Sequence, residues 1–135
     1  MTLSFAEDVR NDMLAVVNTQ VNAGAAAGYV EVRSGTRPAN ADTAATGTVL
    51  ATLTLVDPAF SAPAAGVMDL DADPDITGTA AATGTASWAR TYDSDANAVF
   101  DGDVATSAAD WVITSTSITA AQTVNLTLGS LTRPA

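Results

Sequence analysis

The hydrophobic period of the chain changes once, near Gly28. Upstream, residues 4–22 repeat with the 3.6-residue period of an amphipathic α-helix, and Ser4 followed by Glu7 predicts a capping box at its start. Downstream, apolar and polar side chains alternate in short runs separated by turn-forming residues, which is the period of half-buried strands. The pattern predicts a mainly β fold preceded by one N-terminal amphipathic α-helix.

About seven or eight short strands are expected after the helix, and the most regular pair is a hairpin of residues 85–92 and 98–104. No linker is long enough to divide the chain. Residues 1–135 are therefore expected to form a single domain, with an antiparallel β-sandwich or jelly-roll-like body over residues 28–132. The helix over residues 4–22 would cover an open end or edge of this body, or reach a neighbouring subunit.

The amino-acid composition limits the possible catalytic chemistry of the chain more than any motif does. The sequence has no histidine and no cysteine, and all five of its positive charges are arginines. These absences remove the commonest general base, thiol nucleophiles, zinc–thiolate sites and lysine Schiff bases. The sequence also contains no phosphate-binding loop, dinucleotide fingerprint or serine elbow. We therefore expect a protein that is not an enzyme, with no catalytic residue and no cofactor.

The strong negative charge limits the partners. Fifteen acidic residues give a net charge of −10. Nucleic-acid phosphates and anionic membranes repel such a surface, so neither is expected to bind. No apolar run approaches the length of about 20 residues that spans a membrane, and the first residues do not resemble a secretion signal. We expect the chain to stay in the cytosol in which it is made until it assembles.

Two acidic segments are candidates for cation binding, although no metal ligand is assigned. The first offers oxygen ligands from Asp93, Asp95, Asn97, Asp101 and Asp103. It lacks the glycine and the glutamate of a helical calcium-binding loop, since Ala98 and Val104 occupy those positions, and a polar hairpin turn is favoured. The second segment contains Asp69, Asp71, Asp73 and Asp75. Either a cation gathers its carboxylates, or Pro74 keeps it in a solvated loop, which is favoured.

Aromatic residues gather around the hairpin. Trp88 and Tyr92 share one face of its first strand, Phe100 lies in its second strand, and Trp111 follows. They form either a surface for a ligand or partner, or the hydrophobic core of the sandwich, and the core is favoured.

The apolar half of the helix must be buried against something. At 100° per residue this half contains Phe5, Ala6, Val9, Met13, Leu14, Val16, Val17 and Val21, and the polar half includes Asn11, Asn18 and Asn22. Packing on the chain's own sheet is the simpler expectation, and packing into a neighbouring subunit is the alternative. If a partner is involved, the candidate interface residues on the helix are Phe5, Val9, Met13 and Val16.

Residues 34–48, SGTRPANADTAATGT, form a long loop between two predicted strands. Loops of this length in a compact domain are usually ordered for a purpose. Arg37 is one of only five cations and is the fifth interface candidate, because it can pair either with a nearby aspartate or with an acidic patch on a partner.

Taken in order, several segments resemble a family of small structural proteins of tailed-bacteriophage particles. The segments are the helix 4–22, YVEVRSGTRP (29–38), ADTAATGT (41–48), LATLTLVDPAF (50–60), ATGTASWAR (82–90), DSD (93–95) and VFDG (99–102). The resemblance implies a role in the virion, either decoration- or cement-like or associated with the tail or neck. It implies no catalytic residues.

The expected function is that of a capsid decoration protein that binds and stabilises the head shell, with the major capsid protein as the favoured partner. A component of the tail, neck or fibre base is the alternative, and a calcium- or carbohydrate-binding attachment module is a further one. Copies are expected to form a homo-oligomer, with a trimer favoured. The expected location is the virion, after synthesis in the host cytoplasm.

Overall fold

The computed structural model describes residues 3–72 and 75–133. One helix, α1 (Glu7–Val21), precedes a body of short strands, which confirms the predicted mainly β fold with an N-terminal helix. The strands are β1 (Tyr29–Arg33), β2 (Val49–Thr54), β3 (Val67–Asp69), β4 (Ile76–Thr79), β5 (Gly84–Thr85), β6 (Trp88–Tyr92), β7 (Ala98–Ala105), β8 (Trp111–Ile113), β9 (Ser117–Ile118) and β10 (Thr123–Thr132). Within the described residues, no helix has the length and apolar character needed to cross a membrane.

Most strands belong to one large sheet that is nearly closed. Its order is β2-β1-β6-β7-β8-β10-β3, and β4 also pairs with the long strand β10. The two ends of the sheet meet where β2 and β4 approach, and there the Ala81 N–H donates to the carbonyl oxygen of Leu50 at 2.8 Å. Gly78 makes this approach possible, since an added Cβ would lie 2.7 Å from the Thr52 carbonyl oxygen. The strands β5 and β9 form a separate small ribbon.

The sheet is mixed, which corrects the expectation of a purely antiparallel body. The strands β7 and β8 run parallel and pair Val104 with Trp111 and Ala105 with Val112. Only two residue pairs form, and the short connection turns the chain back at Ala108, whose φ is +52°. Sequence patterns did not reveal this, because strands joined by short connections are normally antiparallel.

Period-two alternation places the core on the concave side of the sheet. Val30 and Val32 of β1 are buried. The side chains that alternate with them, Tyr29, Glu31 and Arg33, lie on the outer face. The same alternation in β10 buries Val124 and Leu126. Inward-facing side chains from the other strands join them in one continuous cluster, which α1 extends with Leu14 and Val21.

The start of α1 differs from the prediction. The helix begins at Glu7, and Ala6 is its N-cap without a side-chain hydrogen bond, so the predicted capping box of Ser4 and Glu7 is wrong. Glu7 and Asp8 instead place two negative charges in the first turn, where they stabilise the helix through its dipole. The chain leaves the helix at Asn22 and turns at Gly24, whose φ of +94° suits glycine.

The face that α1 turns to the body is only partly the apolar half of its wheel. Three asparagines expected on the polar half bind the body instead. The side chain of Asn11 accepts the Gly66 N–H at 2.9 Å, that of Asn22 accepts the Ala59 N–H at 3.0 Å, and that of Asn18 donates to the Phe60 carbonyl oxygen at 3.3 Å. These bonds turn the side of the helix that carries the asparagines toward the body. Part of the apolar half therefore faces away from the body.

Candidate functional site

The loop 34–48 lies across the outer face of β1, β6 and β7. At its start, Ser34 and Gly35 accept hydrogen bonds from β6 and the residue before it. The Trp88 indole Nε1 donates to the Ser34 carbonyl oxygen at 3.2 Å, and the Ser87 hydroxyl donates to that of Gly35. At its end, the Ser34 N–H donates to the Thr48 carbonyl oxygen at 3.1 Å and closes the loop.

Arg90 of β6 lies between the sheet and the loop and binds the middle of the loop. Its guanidinium forms a bidentate ion pair with Asp101 of β7, at 2.6 Å from Nε and 2.8 Å from Nη2. It also donates to the carbonyl oxygens of Thr43 at 2.8 Å and Asn40 at 3.3 Å, and it lies over the Trp88 ring at 5.6 Å. The residue is only 4% exposed, and its hydrogen bond to Asp101 raises the pKa of the guanidinium. A buried arginine that makes four hydrogen bonds therefore fixes the conformation of the loop.

Arg37 lies on the exposed part of this loop. It pairs with Asp103 of β7 at 3.1 Å, and the two side chains are 40% and 65% exposed. The local aspartate expected from the sequence is therefore present. A surface ion pair of this kind contributes little to stability, so Arg37 remains accessible to a partner.

The sequence named Arg37 as the notable cation of the loop, but the structure shows that Arg90 organises it. The signal was present in the hairpin register, because Arg90 and Asp101 lie directly opposite each other on β6 and β7. It could not be interpreted without knowing that the loop folds over this face.

The first acidic segment forms a turn. The Asp93 carboxylate accepts the N–H groups of Asp95 and Asn97 and the side-chain amide of Asn97, each at 2.9 Å. Asp101 is paired with Arg90 and Asp103 with Arg37, so these carboxylates do not converge. The geometry is that of a polar hairpin turn in which protein donors satisfy the aspartate.

The hydrogen bonds of Asp93 predict a specific dependence of stability on pH. Donation from the Asn97 side chain, and then from its N–H, lowers the pKa of Asp93 below its ordinary value. The ionised Asp93 therefore stabilises the fold fully above the pKa of about 4 that it has in the unfolded chain. This stabilisation is lost as the pH falls through the lower pKa of Asp93 in the folded chain. We expect Asp93→Asn to be less stable than the wild-type chain at neutral pH, and the difference to shrink in acid. Urea unfolding at several pH values measures this, with Asp95→Asn as the control; a difference independent of pH would contradict it.

The second acidic segment does not gather a cation site either. Asp69 ends β3, Asp71 and Asp75 are exposed, and Asp73 lies outside the described residues. No group of three or more acidic, histidine or cysteine side chains in the described part of the chain is arranged to hold a metal ion.

The aromatic residues divide between the two faces of the sheet. Phe100 stacks on Trp111 at 5.8 Å inside the fold, and Phe60 packs against both rings. Trp88 is buried on the outer face beneath the loop. Beside it, Tyr29 and Tyr92 stack at 5.0 Å; burial raises the pKa of both phenols, and Glu31 adds to the effect. Of the four aromatic residues expected to cluster, Phe100 and Trp111 therefore belong to the core, whereas Trp88 and Tyr92 lie on the outer face.

The outward face of α1 carries the exposed large apolar side chains of the described structure. Val16 is 60% exposed, Val9 is 43% exposed and Leu3, just before the helix, is 62% exposed. Phe5 and Met13 complete this outward stripe and are half-buried, because Arg133 covers them. Its guanidinium lies 5.2 Å from the Phe5 ring centre, and its Nε donates to the Met13 sulfur at 3.4 Å. Val9 and Val16 thus lie on the side of α1 that faces away from the body, whereas Phe5 precedes the helix and Met13 borders the body.

A cavity of about 230 Å³ opens beside this stripe, between α1 and the ends of β7 and β10. Its walls are mainly apolar. Met13, Leu14 and Val17 line it from the helix and Phe100 and Leu131 from the strands, with Asp101, Asp110, Thr132 and Arg133 completing the lining. Met13 belongs to both features, so the stripe and the cavity are continuous.

Comparison of the chain with protein-family models, with curated proteins and with solved structures finds no match.

Proposed function

We propose that this chain is a structural protein of a bacteriophage particle, and specifically a decoration protein that binds the outside of the head shell. The observation that carries the proposal is the ordered loop 34–48, together with the resemblance in sequence. A connecting turn does not need a buried ion pair, a buried tryptophan and three strands to fix it. A loop fixed before binding loses little conformational entropy when it binds, which suits attachment to a repeating rigid surface.

Surface chemistry supports a binding role. The exposed loop carries two charged side chains, the cation Arg37 and Asp42, among small uncharged ones, on a chain whose net charge is −10. An acidic protein surface that packs against this loop can pair with Arg37, and the remaining negative charge would keep unassembled copies apart. We infer that Arg37 and the exposed part of loop 34–48 contact the major capsid protein.

Location in the particle and copy number test the proposal. In phage particles purified from the host that makes this chain, we expect quantitative mass spectrometry to find the chain at on the order of hundreds of copies, in proportion to the shell protein. A few copies per particle would support the alternative role in the tail, neck or fibre base. Absence from washed particles would overturn both roles.

A binding experiment then tests the loop. Shells that lack the chain should bind Arg37→Ala more weakly than the wild-type chain, although the folded state is unchanged. The control is Asp103→Asn, which removes the same exposed ion pair but keeps the cation. Equal binding by all three chains would exclude Arg37 from the contact.

The attachment-module alternative has less support. The Asp93 carboxylate is satisfied by the turn's own donors, and Trp88, Phe100 and Trp111 are engaged within the fold.

A further inference from the structure

We propose that copies of this chain associate through the outward stripe of α1, with their helices parallel. The stripe comprises Val9, Met13 and Val16 of the helix, together with Phe5 just before it. The proposal does not depend on the phage assignment, because it rests on the shape and charge of this one face.

The two edges of the stripe carry opposite charges. At 100° per residue, Asp8 and Asp12 lie along one edge of the stripe. The opposite edge carries Arg10 and Arg133, and the Nη1 of Arg10 donates to the Arg133 carbonyl oxygen at 3.5 Å. The cavity that opens there is lined by Arg133 and by one exposed carboxylate, Asp110, so this edge remains net positive. The ion pairs formed by the described residues use Arg33, Arg37 and Arg90. The two arginines at the stripe therefore keep their charge available, in a chain whose net charge is −10.

This arrangement of charges favours a second copy of the chain as the partner, and it favours parallel over antiparallel helices. If two helices met antiparallel about a two-fold axis, acidic edge would face acidic edge. When helices run parallel around a symmetry axis, the acidic edge of each copy faces the arginine edge of the next. Val9 and Val16 are seven residues apart, the repeat that keeps apolar side chains on the seam between parallel helices.

The cavity supplies the complementary surface. In a parallel arrangement, Val16 of one copy lies near the level of Met13 and Val17 of the next, where the cavity opens. Cavities of about 150 Å³ with aliphatic and aromatic walls accept a benzene-sized group, so the space of about 230 Å³ accommodates a valine side chain. The same face thus carries both the protruding side chain and the space that receives it, as a closed ring requires.

The contact is small, so the association should be weak. A stable interface buries about 800 Å² on each partner, more than a single four-turn stripe provides. We expect concentration-dependent assembly in the micromolar range, strengthened wherever many copies are held close together.

Light scattering on size-exclusion fractions of the full chain is the first test. We expect dimers or trimers at high micromolar concentration, and at least a tenfold weaker association for Val16→Asp. Ala15→Asp is the matched control, since it adds the same charge to an exposed position on the acidic side of the same helix. Circular dichroism checks that both variants fold. Deleting the helix is unsuitable, because Leu14 and Val21 belong to the core.

Cysteine cross-linking tests the direction of the helices. The chain has no cysteine, so a single introduced thiol reports on one position. Val9→Cys lies near the proposed axis in every copy and should form disulfide dimers much faster than Ala15→Cys. Equal, slow oxidation of both would overturn the parallel contact.

Exchanging the charges of Asp12 and Arg133 tests whether the acidic edge of one copy contacts the arginine edge of the next. Asp12→Arg and Arg133→Asp should each weaken assembly, and the chain that carries both should regain it. A wild-type chain that stays monomeric at high micromolar concentration would overturn the proposal. So would binding of this face to a basic partner protein without self-association. Neither result affects the role of loop 34–48 in shell binding.

Discussion

Arg90→Ala is expected to destabilise the fold by about 3–5 kcal/mol, the usual cost of removing one partner of a buried ion pair. Asp101 would remain beneath the loop, where its side chain is 6% exposed, and would lose both guanidinium hydrogen bonds. The carbonyl oxygens of Thr43 and Asn40 would lose their donors at the same time. Urea unfolding followed by circular dichroism measures the change.

Amide hydrogen exchange should show which part of the Arg90→Ala chain loses its ordered structure first. In the Arg90→Ala chain, amides of loop 34–48 should exchange much faster than those of β10, because the loop loses the contacts that fix it. The matched control is Arg37→Ala, which removes an exposed ion pair on the same loop and should cost less than about 1 kcal/mol. Similar losses from the two variants would show that Arg90 does not organise the loop.

A double variant separates the charge from the contacts. Arg90→Met with Asp101→Val removes both charges and changes the total side-chain volume little, so it should be more stable than Arg90→Ala. It should still leave the loop mobile, because methionine cannot donate to Thr43 and Asn40. If the double variant protected the loop amides as well as the wild-type chain does, packing on Trp88 alone would explain the loop.

The fold class was predictable because it depends on local periods. The helix, the hairpin of β6 and β7, and the alternation of β10 all follow from the order of apolar and polar residues. The parallel pair of β7 and β8 was not predictable, since it depends on how a five-residue connection places two strands within the whole sheet.

The candidate sites were harder to predict, because they depend on contacts between distant segments. The helix shows this most clearly. Its wheel places Asn11, Asn18 and Asn22 on a polar half, yet backbone donors and acceptors at Ala59, Phe60 and Gly66 bind them. Backbone groups 37 to 55 residues away in sequence therefore decide which apolar residues remain outside. The sequence indicated the interface candidates on the helix, but not the arginines and the cavity beside them.

Trp111→Ala is expected to cost about 3–5 kcal/mol, the typical loss for removing a fully buried large aromatic side chain. The Trp111 ring packs against Phe100 and Phe60 and lies over two glycines of neighbouring strands, Gly102 and Gly129. Its loss leaves a cavity that these small residues cannot fill. Urea unfolding followed by circular dichroism measures the change independently of tryptophan fluorescence.

Gly129 provides the sharper test of this packing. A Cβ at Gly129 would lie 2.5 Å from Cζ3 of Trp111 and 3.1 Å from Cβ of Leu70, so Gly129→Ala should cost about 1–3 kcal/mol by overpacking. In the Trp111→Ala background the new methyl group enters empty space, and its cost should largely disappear. The coupling in the double-mutant cycle should then be about 1–3 kcal/mol. Strictly additive losses would mean that the glycine is needed for its backbone rather than for the ring above it. That result is not expected, because Gly129 does not adopt a left-handed φ and pairs with Trp111 itself.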